Sequence, residues 1–132
     1  MRYLGVDFGL RRVGLAISEG SLASPWKVLE VKGFSDAVDK ISKIIKDGEF
    51  QKIVVGLPEG KMGGNVTGFV NALRKNGIDA ETADETLSSK KAMDQMIEEN
   101  IPLKKRRSND DIAAAIILQN YLDSRPSVIA SD

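Results

Sequence analysis

Cysteine is absent from the chain, and so is histidine. Without cysteine there is no disulfide, no thiol nucleophile and no thiolate metal site. Without histidine there is no Ser-His-Asp triad, no imidazole general base and no His-ligated zinc. Any catalysis is therefore left to carboxylates, Lys, Ser/Thr, Tyr or a hard metal ion. Aromatic residues amount to 5% of the chain, too few for a platform that stacks single-stranded bases. Neither sign of charge is in excess: 19 basic residues balance 19 acidic ones, so total charge points to neither nucleic acid nor membrane. No apolar run approaches the ~20 residues of a membrane span. The opening Met1-Arg2 leads straight into a strand-like segment and has no signal-peptide architecture. The expectation is a cytoplasmic protein without a membrane partner, which the missing cysteines suit.

What is there reads as one domain over residues 1–132, a length that buries roughly two-thirds of the unfolded surface. No repeat, low-complexity segment or long linker divides it. Residues 2–8 read as a buried strand, 9–12 as a turn, and Val13 to Ser18 as a hairpin partner. Trp26 to Val31 reads as a third strand after the turn residues around Pro25. Phe34, Val38, Ile41 and Ile45 recur at helical spacing, with Gly48 as the stop. The apolar run from Gln51 to Leu57 suits a central parallel strand, and Pro58 ends it before a Gly-rich loop at 59–64. Val66, Phe69, Val70 and Leu73 mark a second helix ended at Asn76-Gly77, and Ile78 to Ala83 another strand. A third helix is expected from near Ser88 to Glu99, and a last one from Ser108 to about Tyr121. The order βββαβαβαα predicts an α/β domain with a mixed five-stranded sheet: three antiparallel strands first, then parallel strands, flanked by helices.

Three carboxylate positions stand out. Asp7 ends an otherwise apolar strand, sharing a face with Tyr3 and Gly5 and opposing Leu4, Val6 and Phe8. It must find donors, a cation or water, or else serve as a turn aspartate. Asp84-Glu85 follows a strand at the edge where parallel sheets place their sites, although acidic residues also suit the start of a helix. Asp110 and Asp111 open the last helix. If Ser108 is its N-cap, Asp111 falls at N3 and reaches back to the cap, which leaves Asp110 at N2 for other work. Ala113, Ala114 and Ile117 follow at helical spacing, and small residues there let the helix approach the sheet and carry Asp110 toward the first strand. Three convergent carboxylates need cations between them. Mg²⁺ or Mn²⁺ takes oxygen ligands without histidine, and two such ions support in-line phosphoryl displacement. Arg11-Arg12, Lys90-Lys91 and the run Lys104-Lys105-Arg106-Arg107 are the basic clusters; a solvated loop is the plain reading of such a run.

These residues resemble the motifs of the YqgF family, a RuvC-like branch of the RNase H superfamily. Gly5-Val6-Asp7-Phe8-Gly9 with Arg12-Val13-Gly14-Leu15-Ala16 resembles its opening, and Val54-Val55-Gly56-Leu57-Pro58 with Gly63 its second motif. Asp84-Glu85 with Leu87-Ser88 resembles the third, and Asp110 with Ala113-Ala114 and Ile117-Leu118-Gln119 the last. The resemblance implies an RNase H-like fold. It also implies a nuclease that cleaves phosphodiesters, in 5′ processing of pre-16S rRNA or in Holliday junction resolution. By position it implies Asp7, Glu85 and Asp110 as catalytic and metal-holding residues for a pair of Mg²⁺ or Mn²⁺ ions, and it selects Asp110 over Asp111. Arg12, Lys61, Lys104, Lys105, Arg106 and Arg107 are the expected contacts to nucleic-acid phosphates, on structured RNA or branched DNA. Three positions depart from the family pattern: Thr86 replaces its usual Arg, Glu19 its frequent Asp, and the loop 59–64 reads differently.

Two other readings compete. Asp7-x-Gly9 followed by Gly14 also resembles the first phosphate loop of actin-like ATPases, although such a nucleotide cleft lies between two domains of this kind. A non-catalytic RNA or ribosome-associated factor with the same fold is the other. A junction resolvase favours a homodimer, to match a two-fold substrate; an rRNA-trimming enzyme works equally as a monomer.

Overall fold

The computed structural model describes residues 1–57, 63–84 and 110–124. Strands β1 (Tyr3–Asp7), β2 (Arg12–Ser18) and β3 (Ser24–Glu30) come first, followed by helix α1 (Phe34–Gly48). Then come β4 (Lys52–Leu57), helix α2 (Gly63–Lys75), β5 (Ala80–Asp84) and helix α3 (Asp110–Ser124). The sheet has the order β3-β2-β1-β4-β5. β1 pairs antiparallel with β2 and parallel with β4, β2 pairs antiparallel with β3, and β4 runs parallel to β5. This is the expected mixed sheet, with β1 at its centre. The expected helix at Ser88 to Glu99 lies outside the described residues.

Strand alternation divides the core into two layers. Leu4 and Val6 join Val13, Leu15, Ile53 and Val55 on one face, covered by Ala37, Ile41 and Ile45 of α1 and by Val66, Phe69, Val70 and Leu73 of α2. Phe69 is wholly buried and stacks on Phe8 with ring centroids 4.6 Å apart. Burial of such a ring is worth about 1.5–3 kcal/mol. Tyr3, Ala16 and Val54 point the other way and meet Ala114, Ala115, Ile117, Leu118 and Leu122 of α3. The side chains of α3 are buried on most sides (Ile112, Ala114 to Leu118, Leu122), as its apolar sequence requires.

Several details differ from expectation, each for a local reason. β3 begins at Ser24 and includes Pro25, which pairs with Ala16 beside a register shift between Leu15 and Ala16. β3 is an edge strand, where a missing N–H costs no ladder bond. α1 ends at Gly48, as expected, and the left-handed residue that caps it is Glu49, φ 55°. Gly48 is small for packing, because a Cβ there would lie 2.6 Å from the Phe50 ring. The buried stripe of α1 is Ala37, Ile41, Ser42 and Ile45, while Phe34 stays partly exposed and meets Phe8 edge-on at 6.1 Å.

Candidate active site

Asp7 is the last residue of β1, and its cross-strand partner on β2 is Gly14. Directly opposed residues share a face, so Gly14 opens onto the same side of the sheet as the Asp7 carboxylate. That opening is filled by the start of α3. A Cβ on Gly14 would collide with the Asp110 carbonyl and lie 2.8 Å from the Asp110 Cβ. Asp7 and Asp110, 103 positions apart in the chain, are thus neighbours around one glycine.

A second glycine sets the helix at this depth. A Cβ on Gly5 would lie 2.7 Å from the Leu118 Cβ and 2.8 Å from the Ala114 carbonyl. Asp110, Ala114 and Leu118, spaced by four, form the line of α3 that rests on β1 and β2. Alanine on the helix supplies half of the close approach, and Ala114 rather than the half-buried Ala113 is the residue in the seam. Glycines of the sheet supply the other half. Sequence reasoning missed Gly5 and Gly14 as positioning residues, although a glycine inside an apolar strand signals close approach of another backbone.

The two aspartates at the start of α3 have different surroundings. Asp111 is buried at 9% exposure, and its Oδ1 accepts the Ile112 N–H at 2.9 Å. Asp110 keeps 32% of its side chain exposed and meets Arg12, whose Nε lies 3.4 Å from the Asp110 Oδ2. Arg12 itself is more than half exposed, at 56%. An expected phosphate-binding cation therefore stands against an expected metal-holding carboxylate.

β5 ends at Asp84, level with the end of β4 at Leu57. β4 runs parallel to β1 with Val55 beside Val6, so Asp84 and Asp7 finish at the same edge of the sheet. Glu85 follows Asp84 in the chain and lies outside the described residues, as do Thr86, Ser108, Lys61 and the run Lys104 to Arg107. Among the described residues there is no group of three or more acidic side chains that could hold a metal ion. The side chains of Asp7 and Asp110 offer hard oxygens without nitrogen or sulfur, a donor chemistry that fits Mg²⁺ or Mn²⁺ better than softer metals.

Known proteins share both the sequence and the fold. A family model described as RuvX, Holliday junction resolvase, matches residues 1–124. A protein of Natranaerobius thermophilus named "Putative pre-16S rRNA nuclease" is 33% identical, with 93% of this chain and 94% of that protein aligned. One of the same name from Clostridioides difficile is 35% identical over 92% of this chain and 94% of its own length. Among solved structures, RuvC of T. thermophilus in complex with a Holliday junction substrate superposes with a TM-score of 0.65 at 17% identity, covering 95% of both chains. That likeness makes the fold RNase H-like, with β1 as its central strand. By its family match and its aligned relatives the chain belongs to the RuvX family, described as Holliday junction resolvases, the YqgF family that its four motifs resemble.

Proposed function

We propose that this chain is a metal-dependent nuclease, and that the precursor of 16S rRNA is its substrate. The observation that carries the reading is the meeting of Asp7 and Asp110 across Gly14. Glu85, one residue beyond the end of β5, completes the carboxylate set. These three side chains would hold Mg²⁺ or Mn²⁺, as two ions. Bound there, the metal supplies Lewis-acid stabilisation of the phosphate oxygens and a water acidic enough to attack phosphorus at neutral pH. Asp7, at the end of a central strand, is the fixed ligand. Asp110 is held in place by the helix seam and oriented by Arg12. Arg12, with Lys61 and the run Lys104 to Arg107, holds backbone phosphates and positions the substrate without reading its sequence.

Relatives 33% and 35% identical over nearly their whole length bear the pre-16S rRNA name, which favours rRNA over a DNA junction. The family description supports Holliday junction cleavage as the second reading. A cytoplasmic RNA-trimming enzyme has no symmetry requirement and works as a monomer or a homodimer, whereas junction resolution calls for a homodimer. Among the described residues no helix is long and apolar enough to cross a membrane. The family match does not favour an actin-like ATPase.

A cleavage assay with Mg²⁺ or Mn²⁺ tests the proposal by offering a structured rRNA precursor and a four-way DNA junction side by side. Metal-dependent cutting of the precursor, abolished by a chelator, is the expected result. Preferential cutting of the junction would transfer the function to the second reading. Binding without cutting of either substrate would make the chain a non-catalytic RNA or ribosome factor.

A further inference from the structure

Beside the carboxylates lies an open groove of about 680 Å³, lined by Arg11, Arg12, Glu30, Val31 and Lys32. Three cations face one carboxylate, and Val31 is the sole apolar residue of the lining. The net positive charge of this lining suits an anion.

The main chain around the groove is held on both sides. Arg12 and Glu30 are register partners on the β2–β3 ladder, and the Val31 N–H donates to the Arg11 carbonyl at 2.9 Å. The Lys32 N–H donates to the Asp36 Oδ2 at 2.8 Å. Lys40 donates to the Glu30 carbonyl at 2.9 Å and lies 3.2 Å from the Asp36 carboxylate. Asp36 is thus matched by Lys40 and by the Lys32 amide. The Lys32 amide bond, the largest effect, holds the Asp36 carboxyl below its ordinary pKa; burial opposes it, and the Lys40 hydrogen bond and the charges of Lys40 and Lys32 add to the lowering. The groove is consequently a fixed surface from which three long cationic side chains project.

Arg12 joins this groove to the carboxylates, because it lines the one and pairs with Asp110 of the other. A nucleic-acid strand whose scissile phosphate sits at Asp7 and Asp110 meets the groove on leaving the site. We infer that Arg11 and Lys32 form, with Arg12, a track for the phosphodiester backbone flanking the cleaved bond, and that Glu30 limits its affinity. This rests on the nuclease reading for its direction but not for its binding measurement. The contacts are to phosphate, so they fix register rather than base sequence.

The test is equilibrium binding in EDTA, where no cutting occurs, across a range of salt concentrations. The ligands are a structured rRNA precursor and a four-way DNA junction, each with the wild-type chain, Arg11→Ala/Lys32→Ala and Glu30→Gln. Each phosphate neutralised contributes about 0.7 to 0.9 to the slope of log K against log salt. The double variant is expected to bind more weakly at low salt, with a slope shallower by about 1.4 to 1.8, and Glu30→Gln to bind more tightly. Loss confined to one ligand identifies that nucleic acid as the one the track holds. An unchanged slope and affinity in the double variant, or no binding by the wild type, overturns the track. Arg11 and Lys32 are both exposed, so their replacement leaves the fold intact, and a circular dichroism melt matching the wild type verifies it. Slopes that shift as expected in a chain that cuts nothing would keep the track and reject the nuclease; normal cutting with unshifted slopes would do the reverse.

Discussion

The Asp110 carbonyl occupies the place where a side chain on Gly14 would begin. Gly14 is also the residue opposite Asp7 on the neighbouring strand, so one missing methyl group lets the start of α3 settle beside the end of β1. Gly14→Ala forces α3 away from the sheet at its first turn. Overpacking of this kind costs about 1–3 kcal/mol. Gly5→Ala strikes the same helix further along, at Ala114 and Leu118, and is expected to cost a similar amount. The two differ in function: Gly14→Ala should lose metal binding and cutting, while Gly5→Ala keeps a larger share of both. Thermal melts and Mn²⁺ titrations of the pair measure this, and equal loss of metal binding in both would count against a local role for Gly14.

Arg12 neutralises Asp110 and, in the proposed mechanism, contacts phosphate. Its replacement by Ala removes an exposed ion pair, so stability should change by no more than about 1 kcal/mol. Substrate binding should weaken, and its salt slope should fall by about 0.7 to 0.9. Mn²⁺ affinity should hold or rise, because a competing cation has left Asp110. The effect on cutting should therefore lie in KM more than in kcat. Steady-state kinetics beside calorimetric Mn²⁺ titration separates these, and a variant with normal KM would remove Arg12 from substrate binding.

Lys52 anchors the far end of the sheet. Its Nζ lies 2.6 Å from the Glu81 Oε2 and 3.1 Å from the Asp79 Oδ1. Burial works against its charge, but the hydrogen bonds to Glu81 and Asp79, with the charge of Glu81, outweigh it and raise the pKa above the ordinary lysine value. A raised folded pKa gives stability that is full below the unfolded pKa and lost as pH rises through the folded one. Lys52→Met should therefore melt lower than the wild type at neutral pH, and the gap should close at strongly alkaline pH. Lys52 pairs with Tyr3, at the opposite end of β1 from Asp7, so cutting should be unaffected. Melting curves across the alkaline range, with a cleavage assay at neutral pH, check both statements.

Much of this architecture is legible in the sequence because period and composition act locally. Val66, Phe69, Val70 and Leu73 repeat at helical spacing and are all buried. The alternation through Tyr3 to Asp7 sorts its residues onto the two faces seen in the structure. The cap and motif positions favour Asp110 over Asp111, and the structure leaves Asp110 the more exposed of the two. What escaped depends on contacts distant in sequence. Gly48 ends α1 as its sequence suggests, yet the left-handed turn falls to Glu49 despite a cost of roughly 1–2 kcal/mol for a residue with a Cβ. Pro25 looks like a turn, yet an edge strand accepts it. Lys32 carries no motif, and only the pairing of β2 with β3 brings it beside Arg11.

The central claim is that Asp7 and Asp110 hold the catalytic metal together. Calorimetric titration of Mn²⁺ into the wild-type chain, Asp7→Asn and Asp110→Asn tests it most directly, with cutting of the preferred substrate measured on the same samples. The account predicts that each variant stays folded, loses Mn²⁺ binding and loses metal-dependent cutting. Folded variants that bind Mn²⁺ and cut as the wild type does would contradict it.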